Sequence, residues 1–162
     1  MATAATNARG IRIVTLHPTL NWPRVWRNIR IKVAWITDTV RSAWYMVIHD
    51  TIPTNERLYR IALTDTNRCS YCDQTDTLTH RITECNVGKD MWNWTRGRLA
   101  MILRTKLHHI PDDWPLRPHF HTWPPQRHGA VLRILAYLVY FRTQQRLQPT
   151  LQVYVDFMRR AR

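Results

Sequence analysis

The chain has 162 residues and carries 24 Lys+Arg against 11 Asp+Glu, a formal charge of +13 at pH 7. A hydrophobic share of 44% with eight tryptophans excludes a disordered basic tail, and the length predicts one domain able to bury its own core. Four glycines, and no G-x-x-x-x-G-K or G-x-G-x-x-G string, exclude the common phosphate-cradling loops. What remains is a folded, strongly basic protein whose partner is a polyanion, nucleic acid before membrane.

Apolar residues recur with the period of a helix and strand alternation is scarce, so the expected fold is all-α with about five to six helices. Residues 1–20 lack the apolar run of a secretory signal and read as a flexible basic segment. From Asn21, followed by Pro23, apolar positions recur at Val25, Ile29, Val33, Ile36, Val40, Trp44 and Val47. That stripe predicts one long helix ending near Asp50, with Arg27, Arg30 and Arg41 on one flank and Trp35 off the buried stripe. Ile52-Pro53-Thr54 breaks the pattern and opens a short helix with Leu58 and Ile61 inward, closing a basic helical segment at 21–62.

Residues 63–88 form the segment that holds all three cysteines, a polar turn followed by a short helix from Thr77 to Cys85. The C-terminal helical part, 89–162, opens with a helix from Lys89 to Thr105. Trp92, Thr95, Leu99, Ile102 and Leu103 share one face of it, and Trp94, Arg98 and Met101 the other. His108 to Pro125 is proline-rich and reads as loop or extended linker. Next comes a helix to about Gln145, apolar nearly all round except at Arg133, Tyr137 and Tyr140, which reads as the centre of the core. Thr150 caps a last helix with Leu151, Tyr154, Val155 and Met158 inward. Residues 21–162 are expected to fold as one unit.

The chemistry lies in Cys69-x2-Cys72-x7-His80-x4-Cys85. A C-x-x-C turn places two thiolates on one ion, and His80 and Cys85 lie near one helical turn apart on the following helix. A Cys3His set closes a tetrahedral shell around one structural Zn2+ and leaves no open position for catalytic water. Three thiolates and Zn2+ sum to about −1, a charge that Arg68 and Arg81 are placed to offset. An odd cysteine count in a chain with no secretion signal argues against a disulfide framework. His108, His109, His119 and His121 sit in the proline-rich loop without cysteines, and read as solvated.

Three strings carry a resemblance: Ile52-Pro53-Thr54-Asn55-Glu56-Arg57-Leu58-Tyr59-Arg60-Ile61, the four ligands with Asp76 to Ile82 between them, and Met91-Trp92-x-Trp94-Thr95-Arg96-x-Arg98-Leu99-Ala100. With Trp123-Pro124-Pro125-Gln126-Arg127-His128, they resemble the zinc-binding region after the polymerase in non-LTR retrotransposon reverse transcriptases. Insect elements of the ribosomal-DNA-targeting type are the nearest in pattern, over roughly residues 22–162. The resemblance implies a C-terminal zinc-finger module that helps a polyprotein hold template RNA or target DNA during target-primed reverse transcription. It also implies the reverse transcriptase domain of that polyprotein as a partner.

Polymerase and nuclease chemistry are not expected here. The nearest string to a paired-aspartate polymerase turn, Tyr154-Val155-Asp156-Phe157, lacks the second aspartate and lies in a helical pattern. Pro111-Asp112-Asp113 begins like the carboxylate set of a nuclease, but the next acid is Asp156, so the chain reads as non-enzymatic. Bidentate arginines and aromatic planes suit nucleic acid. Arg24, Arg27, Arg30 and Trp35 are the candidates on the first helix, Arg68 and Arg81 at the finger, and Trp94, Arg96 and Arg98 beyond it. The alternative is a docking module for the polymerase with little nucleic-acid affinity. Neither reading involves a membrane or a small-molecule substrate, and both place the chain inside the cell, in nucleus or cytoplasm.

Overall fold

A computed structural model of the chain describes residues 36–116, 125–144 and 150–160, together with Pro23 and Arg27. The architecture is all-α, as expected. In order it runs α1 (Asp38–Ile48), α2 (Asn55–Arg60), a π-helical turn (His80–Glu84), α3 (Asn86–Leu103), α4 (His128–Thr143) and α5 (Leu151–Arg160). Arg68 and Thr75 form an isolated antiparallel bridge, and the described residues contain no strand.

The expected single helix from Asn21 to Asp50 is interrupted at Ile36 and Thr37. Thr37 is extended (φ −71°, ψ 161°) and its hydroxyl accepts the Val40 N–H at 3.4 Å, so a new helix starts at Asp38. Asp38 in the first turn favours the positive end of the helix dipole. Val40, Ala43, Trp44, Val47 and Ile48 are buried, a complete apolar face. The indole N–H of Trp44 reaches across to the Pro115 carbonyl at 3.2 Å. Pro23 and Arg27 are helical and exposed; Arg24, Arg30, Trp35 and the segment 1–20 lie outside the described residues.

Thr54 caps α2 by accepting the Arg57 N–H. Ile52 is buried and Leu58 half-buried, but Ile61 is 60% exposed, contrary to expectation. The helix ends at Arg60, so Ile61 leaves the spacing that would have stacked it on Leu58. Helix α3 begins three residues before the expected Lys89 and ends where Arg104 turns left-handed (φ 52°). The loop after it is pinned: a 3-10 turn at Leu107–His109 leads into buried Ile110 and Trp114, and 117–124 are outside the described residues.

Helix α4 is the centre of the core. Val131, Leu132, Leu135, Ala136, Leu138 and Val139 are almost wholly inaccessible, and α1, α3, α5 and the π-turn all pack on it. On α5, Tyr154, Val155 and Met158 face inward while Leu151 is 36% exposed. The Tyr154 hydroxyl lies 3.0 Å from that of Thr95, so the deepest polar groups of α3 and α5 satisfy each other. Side chains from all of these helices form one cluster, which fixes the π-turn between α3 and α4.

Candidate metal centre

The knuckle is built from short-range hydrogen bonds. Cys69 N–H bonds to the Gln74 carbonyl at 2.7 Å and Asp73 N–H to the Cys69 carbonyl at 3.2 Å, with Asp73 left-handed at φ 57°. That reversal sets Cys69 and Cys72 on one side of the turn. The Thr77 hydroxyl accepts the His80 N–H at 3.1 Å, starting the second half of the site.

His80 and Cys85 are five positions apart, an interval that would set them about 140° apart around an α-helix. The π-turn removes the mismatch: its wider loop closes with Cys85 N–H on the His80 carbonyl at 2.7 Å and brings both side chains to the same side. Cys85 is also the N-cap of α3. Burial works against its thiolate, yet the N–H groups of Val87 and Gly88, the Cys69 thiol and the charge of Arg142 bring its pKa below the ordinary value. Burial pushes the Cys69 thiol up to about 11.

All four ligand atoms lie within 4.8 Å of one another. Cys69 Sγ and Cys85 Sγ are 3.7 Å apart, matching the roughly 3.8 Å between sulfurs that share a tetrahedral Zn2+ at about 2.3 Å. Cys72 Sγ lies 3.1 Å from His80 Nε2, which identifies Nε2 as the ligating nitrogen. Cys69, His80 and Cys85 are buried and Cys72 is half-buried. The donor set fits one structural zinc ion. Among the described residues this is the single such cluster; His108 and His109 are exposed, their rings 4.2 Å apart and His109 Nδ1 3.1 Å from the Thr105 hydroxyl, and His119 and His121 are not described.

Residues 17–92 match the family model described as zinc-binding in reverse transcriptase. No curated protein and no solved structure matches the chain. The matched span contains all four ligands and stops inside α3, so the similarity covers the zinc-ligand segment and the elements before it, while α4 and α5 lie beyond it. No helix among the described residues is long and apolar enough to cross a membrane.

Two of the arginines expected to face nucleic acid form ion pairs within the protein. Arg81 donates through Nε to Asp76 at 3.0 Å and through its terminal nitrogen to the same carboxylate, and its side chain is only 11% exposed. Arg96 holds Asp112 at 2.5 Å and the Leu107 carbonyl at 3.3 Å, so it staples the loop to α3. Arg68 is exposed, with one guanidinium nitrogen on the Asp73 carbonyl at 2.9 Å. Arg98 lies over the Trp94 ring at 5.9 Å, while that ring also meets Tyr154 edge-on at 5.4 Å.

The expected counter-charge is therefore corrected. Arg81 answers Asp76 and Arg68 is exposed, whereas the charge of Arg142 on α4, 5% exposed, helps to lower the Cys85 pKa. Its Nε donates to the Arg81 carbonyl at 2.7 Å and its guanidinium lies over Tyr71 at 5.9 Å. Sequence reasoning missed Arg142 because it singled out Arg133 as the polar position of that helix. It also missed Asp76, whose signal was an acid five residues before an arginine.

Gly88 was missed as well, and it is the tightest fit at the site. A Cβ there would sit 2.8 Å from the Arg81 carbonyl oxygen and 2.9 Å from that of Ile82. Gly88→Ala is expected to push α3 off the π-turn and cost about 1–3 kcal/mol, measured as a lower denaturation midpoint with weakened zinc retention. Gly97→Ala, where nothing lies within 4 Å, is expected to stabilise by roughly 0.5–1 kcal/mol.

Proposed function

We propose that the chain is a non-catalytic module that grips nucleic acid, template RNA or target DNA, beside the polymerase of a non-LTR retrotransposon reverse transcriptase. The observation that carries this reading is the charge of +13 on a folded, zinc-organised protein. A like-sign surface of that size repels itself and is retained where a polyanion neutralises it. Arg27, Arg68, Lys89, Arg104, Lys106 and Arg160 are exposed, and Arg98 with Trp94 adds a cation beside a half-buried aromatic plane. The string resemblance over residues 22–162 supplies the element type, and the absence of a paired-aspartate turn from the sequence supports a non-catalytic role.

Exposed Leu63 (71%) and Met101 (69%) favour the alternative, a surface that docks on the polymerase. A salt titration separates the two. The first reading expects affinity for RNA or DNA to fall linearly on a log–log plot, with about 0.7–0.9 of slope per phosphate contact. Arg27→Ala or Arg98→Ala is expected to lower that slope by about one contact, and Arg96→Ala to lower stability instead. No binding at low salt leaves the docking reading.

A further inference from the structure

A cleft of about 410 Å3 opens between the zinc knuckle and the end of α4, within the range of about 300–1,000 Å3 that holds small ligands. We propose that it receives one unpaired nucleobase of a bound single strand, stacked on Tyr71. The proposal rests on the nucleic-acid reading above and specifies where a base, rather than a phosphate, is held.

Tyr71 lies between the ligands Cys69 and Cys72, so zinc fixes the backbone on either side of it. Arg142 lies over its ring at 5.9 Å and is itself only 5% exposed, so a fixed guanidinium holds the ring in place. Tyr71 itself remains 48% exposed and lines the cleft. Leu58 and Leu63 supply apolar walls, while Asn55 and Gln144 bring amide groups able to hydrogen-bond a base edge.

Charge decides between base and phosphate. The two cations lining the cleft are both engaged: Arg81 pairs with Asp76, and Arg142, 5% exposed, donates through Nε to the Arg81 carbonyl and lies over Tyr71. A cleft with paired charges and with Leu58, Leu63 and Tyr71 among its walls suits a planar neutral ring. The phosphates on either side would then meet exposed cations such as Arg68 on the outer face of the knuckle. Stacking on a rigid ring is tolerant of base identity, so the site anchors a strand without reading its sequence.

The test uses the full zinc-loaded chain and a fluorescent single-stranded oligouridine, with binding followed across salt. Tyr71→Ala is expected to weaken binding roughly 5- to 150-fold with the salt slope unchanged, and Tyr71→Phe to retain it. Leu63→Glu, at a 71% exposed wall position where folding is not at stake, is expected to weaken binding too. If Tyr71→Ala keeps its zinc and binds like the parent, the cleft proposal falls while the nucleic-acid reading stands. If Tyr71→Ala loses zinc, Leu63→Glu decides, and unchanged affinity there overturns the proposal. If the parent chain binds no oligonucleotide at low salt, both fall together.

Discussion

Cys72→Ser is expected to release zinc and unfold the knuckle while leaving the helical core standing. Structural Zn2+ contributes about 10–16 kcal/mol of apparent binding energy to small fingers, and a serine hydroxyl does not replace a thiolate ligand. Cys72 suits the test because it is half-buried, so the substitution removes a ligand with little loss of packing. The segment 61–77 contains no helix, and its fixed points are the ligands and a few backbone bonds. Helix α3 and Ile82, by contrast, are buried in the main cluster. Far-ultraviolet dichroism should therefore change little, whereas limited proteolysis should cut within residues 61–77. Chelation of the parent should give the same cleavage pattern. A variant that retains one equivalent of zinc would remove Cys72 from the ligand set.

That division also explains what could be read from the sequence. The apolar spacing of Val40, Trp44 and Val47, and of Trp92, Thr95 and Leu99, placed the faces of α1 and α3 correctly because burial imposes the helical period. The four ligands were legible because tetrahedral zinc accepts few residue types at few spacings. The break at Thr37 was not, since a continuous apolar stripe hides a local competition that a threonine cap wins. Nor was the π-turn, which arises from the ligand geometry and not from propensity.

Individual arginines were the least legible feature. Net charge is a sum over the whole chain, but the role of each guanidinium depends on which carboxylate or carbonyl the fold brings to it. Arg81 and Arg96 resemble Arg68 and Arg98 in the sequence and differ only in having Asp76 and Asp112 delivered to them. Arg142 lies outside the family match and 57 residues beyond the last ligand, Cys85, so no spacing rule connects it to the site.

Asp76→Ala is expected to be the most damaging substitution outside the four ligands. The carboxylate is 2% exposed as a residue and gathers three donors: Arg81 Nε at 3.0 Å, the terminal nitrogen of Arg81, and Asn55 N–H at 2.8 Å. Its backbone N–H also holds the Asn67 carbonyl at 2.8 Å, so one residue ties α2, the knuckle and the π-turn together. Removing it leaves a nearly buried guanidinium with only a long bond to the Pro53 carbonyl, and the Asn55 amide without its carboxylate, a cost of about 3–5 kcal/mol. For a chain of this length that is roughly 6–20 °C in Tm. Arg81→Met should cost less, because the aspartate left behind keeps the Asn55 bond. The double variant should recover part of the loss, and a double-mutant cycle read by thermal unfolding gives the coupling. An uncoupled pair would return Arg81 to the candidates for nucleic-acid contact. Strong coupling, with the salt slope of nucleic-acid binding unchanged in Arg81→Met, would confine it to holding the zinc knuckle in place.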